Sequence, residues 1–395
     1  MPVIEAFTSV PVLDYSLVKT DKQKFLIQLR HALVYVGFLY LSNHTVPQEL
    51  VDSLISYVPR LFALTQEEKD SIAMRNSQHF LGYNRFGSEF TKGATDLREQ
   101  FDFASQHKNR WTPGAPEYLR LWGDAQACAF LRCLYAYIKS VEELSFEFTS
   151  LVAEALGLPP DALDRFYDEP KSIMQQRCKI VKYPTVTSGS KQGVGPHYDA
   201  GFLTFLLQAS PHEGLQVQNL RGDWIPASPI PGTFVVNIGK GLVTATRGAC
   251  IATSHRVVSP DESAGPRYSV PIFQNISQAV RVCDNLVDLP AEIMELVKAR
   301  GHAATDSVNF SEYDSLPSGL VNLIGRVKSH PDVADRHYPE LFKKYFPNGF
   351  PAQSSAYCVY MPDLPARPYR RPSSTMTATS SSALLYVIPL NSHVR

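Results

Sequence analysis

From about residue 172 the chain breaks into short apolar runs separated by turn residues, and that texture leaves few folds open to it. CKIVKYP, GFLTFLLQ, GLQVQ, TFVVNIG, ACIATSHRVV and RYSVPIFQN follow one another with Gly, Pro, Asp or Asn between them. An amphipathic helix needs an apolar residue at every third or fourth position over a longer span; runs this short, punctuated this often, are strands. Many such strands without intervening helices predict an antiparallel sandwich or barrel.

The flanking segments read differently. VPVLDYS (10–16) is a short entering strand, and residues 21–42 start as a helix with Phe25, Leu29, Leu33 and Val36 on one face. That pattern yields to the strand-like GFLYLS (37–42), after which PQELVDSLISYVPRLFAL resumes the helix from Pro47. Residues 123–157 carry the longest helical pattern, with Phe130, Leu134, Tyr137, Ile138, Val141, Leu144 and Phe148 spaced by threes and fours, until Gly157 and a double proline stop it. Helical pieces return after residue 280, in AEIMELVKAR and DVADRHYPELFKKYF, and the Ser/Thr-rich end reads as an unpacked tail.

Composition excludes some partners. Thirty-eight basic residues balance 38 acidic ones, against a nucleic-acid footprint or a polybasic membrane patch. A 44% hydrophobic content supplies a sizeable core. No secretory signal opens the chain and no apolar run is long enough to span a bilayer. The six cysteines are scattered without a CxxC and read as free thiols. The expectation is a soluble cytoplasmic protein, a monomer or weak homo-oligomer, with a small-molecule partner and no nucleic acid or membrane.

One strand opens oddly. In GPHYDAGFLTFLLQ (195–208) an ionisable pair, His197 and Asp199, heads an otherwise apolar run. On an extended strand residues i and i+2 project from one face, so an imidazole and a carboxylate converge. Taken alone, His-x-Asp is equally a hydrogen-bonded strand end. A second histidine, His255 in SHRVV, again terminates a strand-like run. Two neutral imidazoles and a carboxylate form a facial triad that leaves adjacent positions open on an octahedral metal, a set suited to Fe(II). Zinc takes such ligands too, and the triad leaves the metal open. Further on, PRYSVPIF puts Arg267 and Ser269 on one strand face, with Pro271 and Phe273 at the same parity. A guanidinium fork grips a carboxylate through two charge-assisted bonds, and the hydroxyl adds a third. A buried arginine needs a counter-charge, and a dianionic cosubstrate supplies one.

With HYD at 197–199, His255 in SHRVV and RYS at 267–269, the chain resembles the iron(II)- and 2-oxoglutarate-dependent dioxygenases of the isopenicillin N synthase-like family. VPVLDYS, GFLYLSNHTVP (37–47), TQEEKDSI, GYNRFG and DLREQFDF are similar to that family's N-terminal region, and HPDVADRHYPELFKKYFP resembles segments of fungal members. The resemblance implies an α+β fold, mainly β, in which a double-stranded β-helix (jelly roll) is flanked by N- and C-terminal helices. It divides the chain into a non-haem dioxygenase region (8–120), a supporting helix (121–170), a jelly-roll core (171–280), a helical extension (281–367) and the tail (368–395). By matching position, His197, Asp199 and His255 would ligate Fe(II), and Arg267 and Ser269 would hold the distal carboxylate of 2-oxoglutarate, assisted by Tyr183. Dioxygen is the oxidant, ascorbate a supporting reductant, and succinate and carbon dioxide the coproducts of hydroxylation, desaturation or ring formation. Tyr83, Phe101, Phe103 and Phe273 are placed at the substrate mouth.

Some positions depart from the pattern. Val181 stands where many plant members have Asn, NHG becomes Asn43-His44-Thr45, and Lys240 replaces an aspartate after the N-x-G turn. His44 is read as holding its loop, His212 as an exposed turn residue, Trp224 as a packing anchor, and Arg98 with Glu99 as a solvated pair. Two other readings stand beside the main one. An iron oxidase of the isopenicillin N synthase type would work without 2-oxoglutarate, and a catalytically inactive jelly roll would only bind.

Overall fold

The structure is a computed structural model that describes residues 6–91, 94–105, 107, 111–121, 132–187, 191–301 and 315–350. At the N-terminal side, β1 (Val12–Asp14) is followed by α1 (Leu17–Thr20) and α2 (Lys22–His31), and β2 (Phe38–Ser42) returns parallel to β1. Between α2 and β2 one π-helical turn, Ala32–Val36, ends at Gly37 with φ 74°. No other residue fits there: a Cβ would collide with Thr253 Oγ1 and the Ile251 carbonyl, and the left-handed backbone is Gly territory. This tight passage sets β2 against the segment that leads into His255.

The helices α3 (Gln48–Phe62) and α4 (Gln66–Ser71) come next, the latter opened by a Thr65–Glu68 capping box. They are followed by β3 (Gly82–Asn84), the small hairpin β4 (Phe90–Thr91) and β5 (Ala94–Thr95), and β6 (Glu99–Ala104). The long supporting helix α5 (Arg132–Ala155) is described from Arg132; Phe130 and the start of the expected span lie outside the described residues.

The short runs after residue 172 become β7 (Arg177–Tyr183), β8 (Gln192–His197), β9 (Leu203–Gln208), β10 (Leu215–Gln218), β11 (Trp224–Pro226) and β12 (Thr233–Ile238). After a short helix α6 (Lys240–Ala245), which no periodicity announced, come β13 (His255–Val258) and β14 (Arg267–Gln274). They form two facing sheets, ordered β1-β2-β12-β9-β14-β7-β6-β3 and β11-β10-β13-β8. Apart from β1 with β2, the strand pairs within these sheets are antiparallel. The chain alternates between the two sheets, which makes the sandwich a jelly roll.

The N-terminal strands extend this sandwich. β2 pairs with β12 at one edge of the large sheet and β6 with β7 at the other. Jelly-roll edges would otherwise present unpaired N–H and C=O groups, and the flanking strands satisfy them. The helices α2, α3 and α5 cover the outer face of the large sheet, where Phe25, Leu54, Phe62, Leu144 and Phe148 meet Phe205 and Phe234 in one apolar cluster. Burying one such phenylalanine stabilises the fold by about 1.5–3 kcal/mol.

The extension consists of α7 (Ala291–Arg300), α8 (Ser318–Ser329), α9 (Pro331–His337) and α10 (Pro339–Tyr345). Leu323, Val327, Val333 and Tyr338 pack with Met74, Phe80 and Leu121 of the N-terminal region. That anchorage swings α8 across the open end of the sandwich. Residues 351–395, including the Ser/Thr-rich tail, lie outside the described residues.

Candidate active site

His197 ends β8 and His255 begins β13, and the two are direct cross-strand partners in the small sheet. Their rings stand with centroids 4.2 Å apart. Asp199 follows β8 in a turn fixed by backbone bonds: Lys240 N–H donates to the Asp199 carbonyl at 2.8 Å, and Gly239 N–H to that of Phe202 at 2.8 Å. A Cβ at Gly239 would strike Gly201, so the NIGKG turn can close on this loop only as glycine. Because Lys240 contributes its backbone here, its side-chain identity is free to depart from the family pattern.

Each donor is oriented by a second contact. His197 Nδ1 lies 2.8 Å from the Gly195 carbonyl and His255 Nδ1 lies 3.3 Å from that of Thr253. A carbonyl only accepts, so Nδ1 carries the proton and Nε2 keeps its lone pair. Both Nε2 atoms face Asp199 Oδ1, at 3.8 and 4.0 Å. The other oxygen, Oδ2, is taken by Thr204 Oγ1 at 2.5 Å and Asn237 Nδ2 at 2.8 Å. Burial, reinforced by the neighbouring His255 imidazole, pushes His197 down to about 3, so the His197 imidazole is neutral at ordinary pH. Burial works against the Asp199 charge, but the two imidazoles and its two hydrogen bonds outweigh it and hold the carboxyl below its usual range.

This set fits a metal. The three donor atoms lie within 4.8 Å of one another, and the His–Asp separations are shorter than twice a metal–ligand bond of about 2.1 Å. Two neutral imidazoles and one monodentate carboxylate on a single side leave the rest of an octahedral shell to exogenous ligands.

The triad opens on a cavity of about 490 Å³ between the sheets. Arg267, Ser269, Tyr183, Pro271 and Phe273 line it, as the strand parity of β14 predicts for four of them. Among the described residues Arg267 is the largest fully buried side chain, and no carboxylate of theirs pairs with it. Its Nη2 donates to Gln208 Oε1 at 2.9 Å, its guanidinium lies 5.2 Å from the ring centre of its cross-strand neighbour Tyr183, and its Nη1 is buried without a partner. Burial pulls its charge below the usual guanidinium range. An orphaned donor on a buried cation beside a serine hydroxyl fits an incoming carboxylate.

The other end of the cavity lies under α8. Glu89 Oε2 accepts from Arg98 Nη2 at 2.7 Å and Gln100 Nε2 at 2.8 Å, while Oε1 sits 3.5 Å from Lys179 Nζ and 3.6 Å from His330 Nε2. Burial opposes the Glu89 charge, but Arg98, Lys179 and His330 hold the carboxyl well below its ordinary range. Arg98 is thus a nearly buried cavity residue, which corrects its reading as half of a solvated pair. Glu99 points to the opposite face and pairs with Lys69 at 3.1 Å and Lys182 at 2.8 Å.

The same alternation corrects three substrate-mouth assignments. Phe101 and Phe103 sit in the apolar cluster beneath α3, with Phe101 against Phe62 at 5.3 Å. Tyr83 is the cross-strand partner of Phe101 and donates to Glu99 Oε2 at 2.7 Å. On β6 the residues facing Glu89 and Lys179 are Gln100 and Asp102, one step out of phase with the aromatics. Of the four aromatics, Phe273 alone lines the cavity. His44 packs on Phe234 at 4.3 Å and Trp224 carries the Arg256 guanidinium at 4.1 Å, both packing roles. Glu89, Lys179, Asn237, Arg326 and His330 were not singled out in the sequence; of these only Asn237, which opens the N-x-G turn at the end of β12, carried a local signal.

Fold and site together define a jelly-roll metalloenzyme with a His-Asp-His triad and a cationic anchor beside it. Residues 170–276 match the model of the 2OG-Fe(II) oxygenase superfamily, and residues 10–125 that of the non-haem dioxygenase in morphine synthesis N-terminal region. A 2-oxoglutarate-dependent dioxygenase, frbJ, of Dothideomycetidae sp. (strain 11243) is 43% identical over 85% of this chain and 94% of its own length. Homoarginine-6-hydroxylase 2-ODD-C23 of Glycine max is 30% identical over 70% of this chain and 89% of its own. The crystal structure of a full-length Neurospora crassa protein in complex with alpha-KG and thymine superposes with a TM-score of 0.59 at 21% identity, covering 75% of this chain and 98% of that one. The chain belongs to the 2OG-Fe(II) oxygenase superfamily. It is a 2-oxoglutarate-dependent dioxygenase that uses Fe(II) and oxidises a small molecule. Among the described residues no helix is long and apolar enough to cross a membrane.

Proposed function

We propose that Nε2 of His197, Nε2 of His255 and Oδ1 of Asp199 hold the ferrous ion, and that Arg267, Ser269 and Tyr183 hold the distal end of 2-oxoglutarate. A ferrous ion bound there supplies the redox chemistry by which dioxygen oxidises 2-oxoglutarate to succinate and carbon dioxide and hydroxylates a C–H bond of the substrate. The side chains do the positioning. Thr204 and Asn237 keep Asp199 Oδ2 occupied, so the carboxylate offers a single oxygen and turns neither away nor bidentate. The Gly195 and Thr253 carbonyls fix both imidazole tautomers. Arg267 turns its unpaired Nη1 to the cosubstrate, with the Tyr183 ring 5.2 Å from its guanidinium. Val181, Leu206 and Val257 keep the intervening wall apolar, and α8 roofs the cavity against bulk water.

The observation that carries this reading is the convergence of three pre-oriented donors within 4.8 Å, with a buried, carboxylate-free arginine lining the same cavity. Anaerobic addition of Fe(II) and then 2-oxoglutarate tests it. The purified enzyme develops the visible charge-transfer band of the chelate, and His255→Ala does not. A band of equal strength in that variant removes His255 from the ligand set.

A further inference from the structure

The helix that roofs the cavity carries a cation without a partner. Arg326 lines the cavity from α8, yet makes no hydrogen bond or ion pair to any described residue. The acids that feel its charge, Asp102 and Glu89, are already engaged. Asp102 Oδ1 faces Lys179 Nζ at 3.4 Å and its Oδ2 accepts from Gln100 at 3.0 Å, while Glu89 is surrounded by Arg98, Lys179 and His330. On the far side stands a like charge, Arg177, whose donors are spent on the carbonyls of His79, Phe80 and Leu121. Burial accordingly pulls Arg326 below the usual guanidinium range. Asn322, one turn earlier and on the same helix face, also lines the cavity, with an amide that bonds no described group.

Two cations that line this cavity, Arg267 and Arg326, thus have no ion pair among the described residues, and a single 2-oxoglutarate neutralises only the first. We propose that Arg326 determines specificity for the substrate that is oxidised: its guanidinium fork takes a carboxylate, so the substrates are small carboxylic acids. This rests on the dioxygenase reading above and adds the substrate class. A fork held on a helix engages both oxygens of a carboxylate at once, a geometry that a neutral amide cannot repay. The cavity of about 490 Å³ has room for 2-oxoglutarate and a second small acid.

Two measurements test it on the full-length, Fe(II)- and 2-oxoglutarate-loaded enzyme. The first needs no substrate: the thermal midpoint of Arg326→Met against wild type. A cation reserved for a ligand costs stability while it waits, so the midpoint stays level or rises by a few degrees; a fall of several degrees shows that Arg326 is a structural partner of Asp102 and Glu89 and overturns the proposal. The second offers small carboxylic acids, amino acids included, each paired with its primary amide, and reads perturbation of the charge-transfer band. At least one acid perturbs it while its amide binds about 10- to 100-fold more weakly, and Arg326→Met erases that preference where Arg326→Lys keeps part of it. Amides taken as well as acids, or no acid taken at all, overturn the proposal. If wild type forms no band with Fe(II) and 2-oxoglutarate, the dioxygenase reading itself has failed; a normal band with the wrong variant behaviour sinks the carboxylate anchor alone.

Discussion

At the metal end of the cavity, polar groups are aimed at something the chain does not contain. Three donor atoms face one another at 3.8–4.0 Å from Asp199 Oδ1 to each imidazole, and Arg267 ends in a buried Nη1 with no acceptor. At the Glu89 end the opposite holds. Glu89, Arg98, Lys179 and Asp102 meet one another at 2.7–3.5 Å and satisfy most of their own charge. Both ends are buried and both are charged, so burial or charge alone does not mark a reactive site. What separates them is the accounting of partners: the Glu89 cluster is paired within the fold, while the triad and Arg267 are, in the function proposed above, the groups that take ligands. Arg326 belongs by this measure with the second group, although it stands among the first.

Substitutions at the two ends should therefore fail in different ways. The largest effect on stability is expected for Glu89→Gln, which takes the shared carboxylate from Arg98 and Lys179 in a nearly buried site, leaves them only Asp96 and Asp102 at 3.4 Å, and costs about 3 kcal/mol in a denaturant melt. An unaltered melt would show that the cluster is hydrated and the contrast false. Arg267→Met should do the reverse. It leaves the melt nearly unchanged and raises KM for 2-oxoglutarate about 10- to 100-fold, the worth of charge-assisted bonds to one carboxylate. Asn237→Ala leaves Asp199 Oδ2 to Thr204 alone and should weaken Fe(II) binding by about 10- to 100-fold, measured by anaerobic titration. The smallest effect concerns Asp96, which lies beneath β8 and accepts from Gly195 N–H at 3.2 Å. Burial, opposed by Arg98 but helped by Glu89, pushes it up to about 6. The folded protein then keeps a proton that the unfolded chain releases near pH 4, so this group's contribution to stability falls as pH rises from about 4 to about 6. Asp96→Asn should flatten that segment of the stability profile, and a slope identical to wild type would remove Asp96 as its cause.

The same contrast explains what was legible in the sequence. Arg267 and Ser269 stand at i and i+2 on β14, so strand periodicity alone puts that pair on one face; His197 and Asp199 share the spacing, but β8 ends at His197 and the turn after it brings Asp199 round. The jelly roll was legible for a related reason, since short apolar runs between turns leave few other packings. The Glu89 end is drawn from the loop after β3, β6, β7 and the end of α8, and no local spacing announces that these will meet. The helix α8 shows a clear amphipathic pattern in GLVNLIGRVKS, but nothing in it says which surface it covers. The assignment of Phe101 and Phe103 to the substrate mouth failed for a physical reason. β6 is buried on both faces, and its polar residues Gln100 and Asp102 face the cavity while Phe101 and Phe103 face the core, the reverse of that assignment.

Which atoms meet the metal and the cosubstrate decides what this cavity can do. An anaerobic crystal structure with Fe(II) and 2-oxoglutarate is the measurement. It should show one iron bound by His197 Nε2, His255 Nε2 and a single oxygen of Asp199, Oδ1, with Oδ2 still held by Thr204 and Asn237, and Arg267 Nη1 paired with the distal carboxylate. Iron bound elsewhere, or a cosubstrate that leaves Arg267 Nη1 without an acceptor, would contradict this assignment.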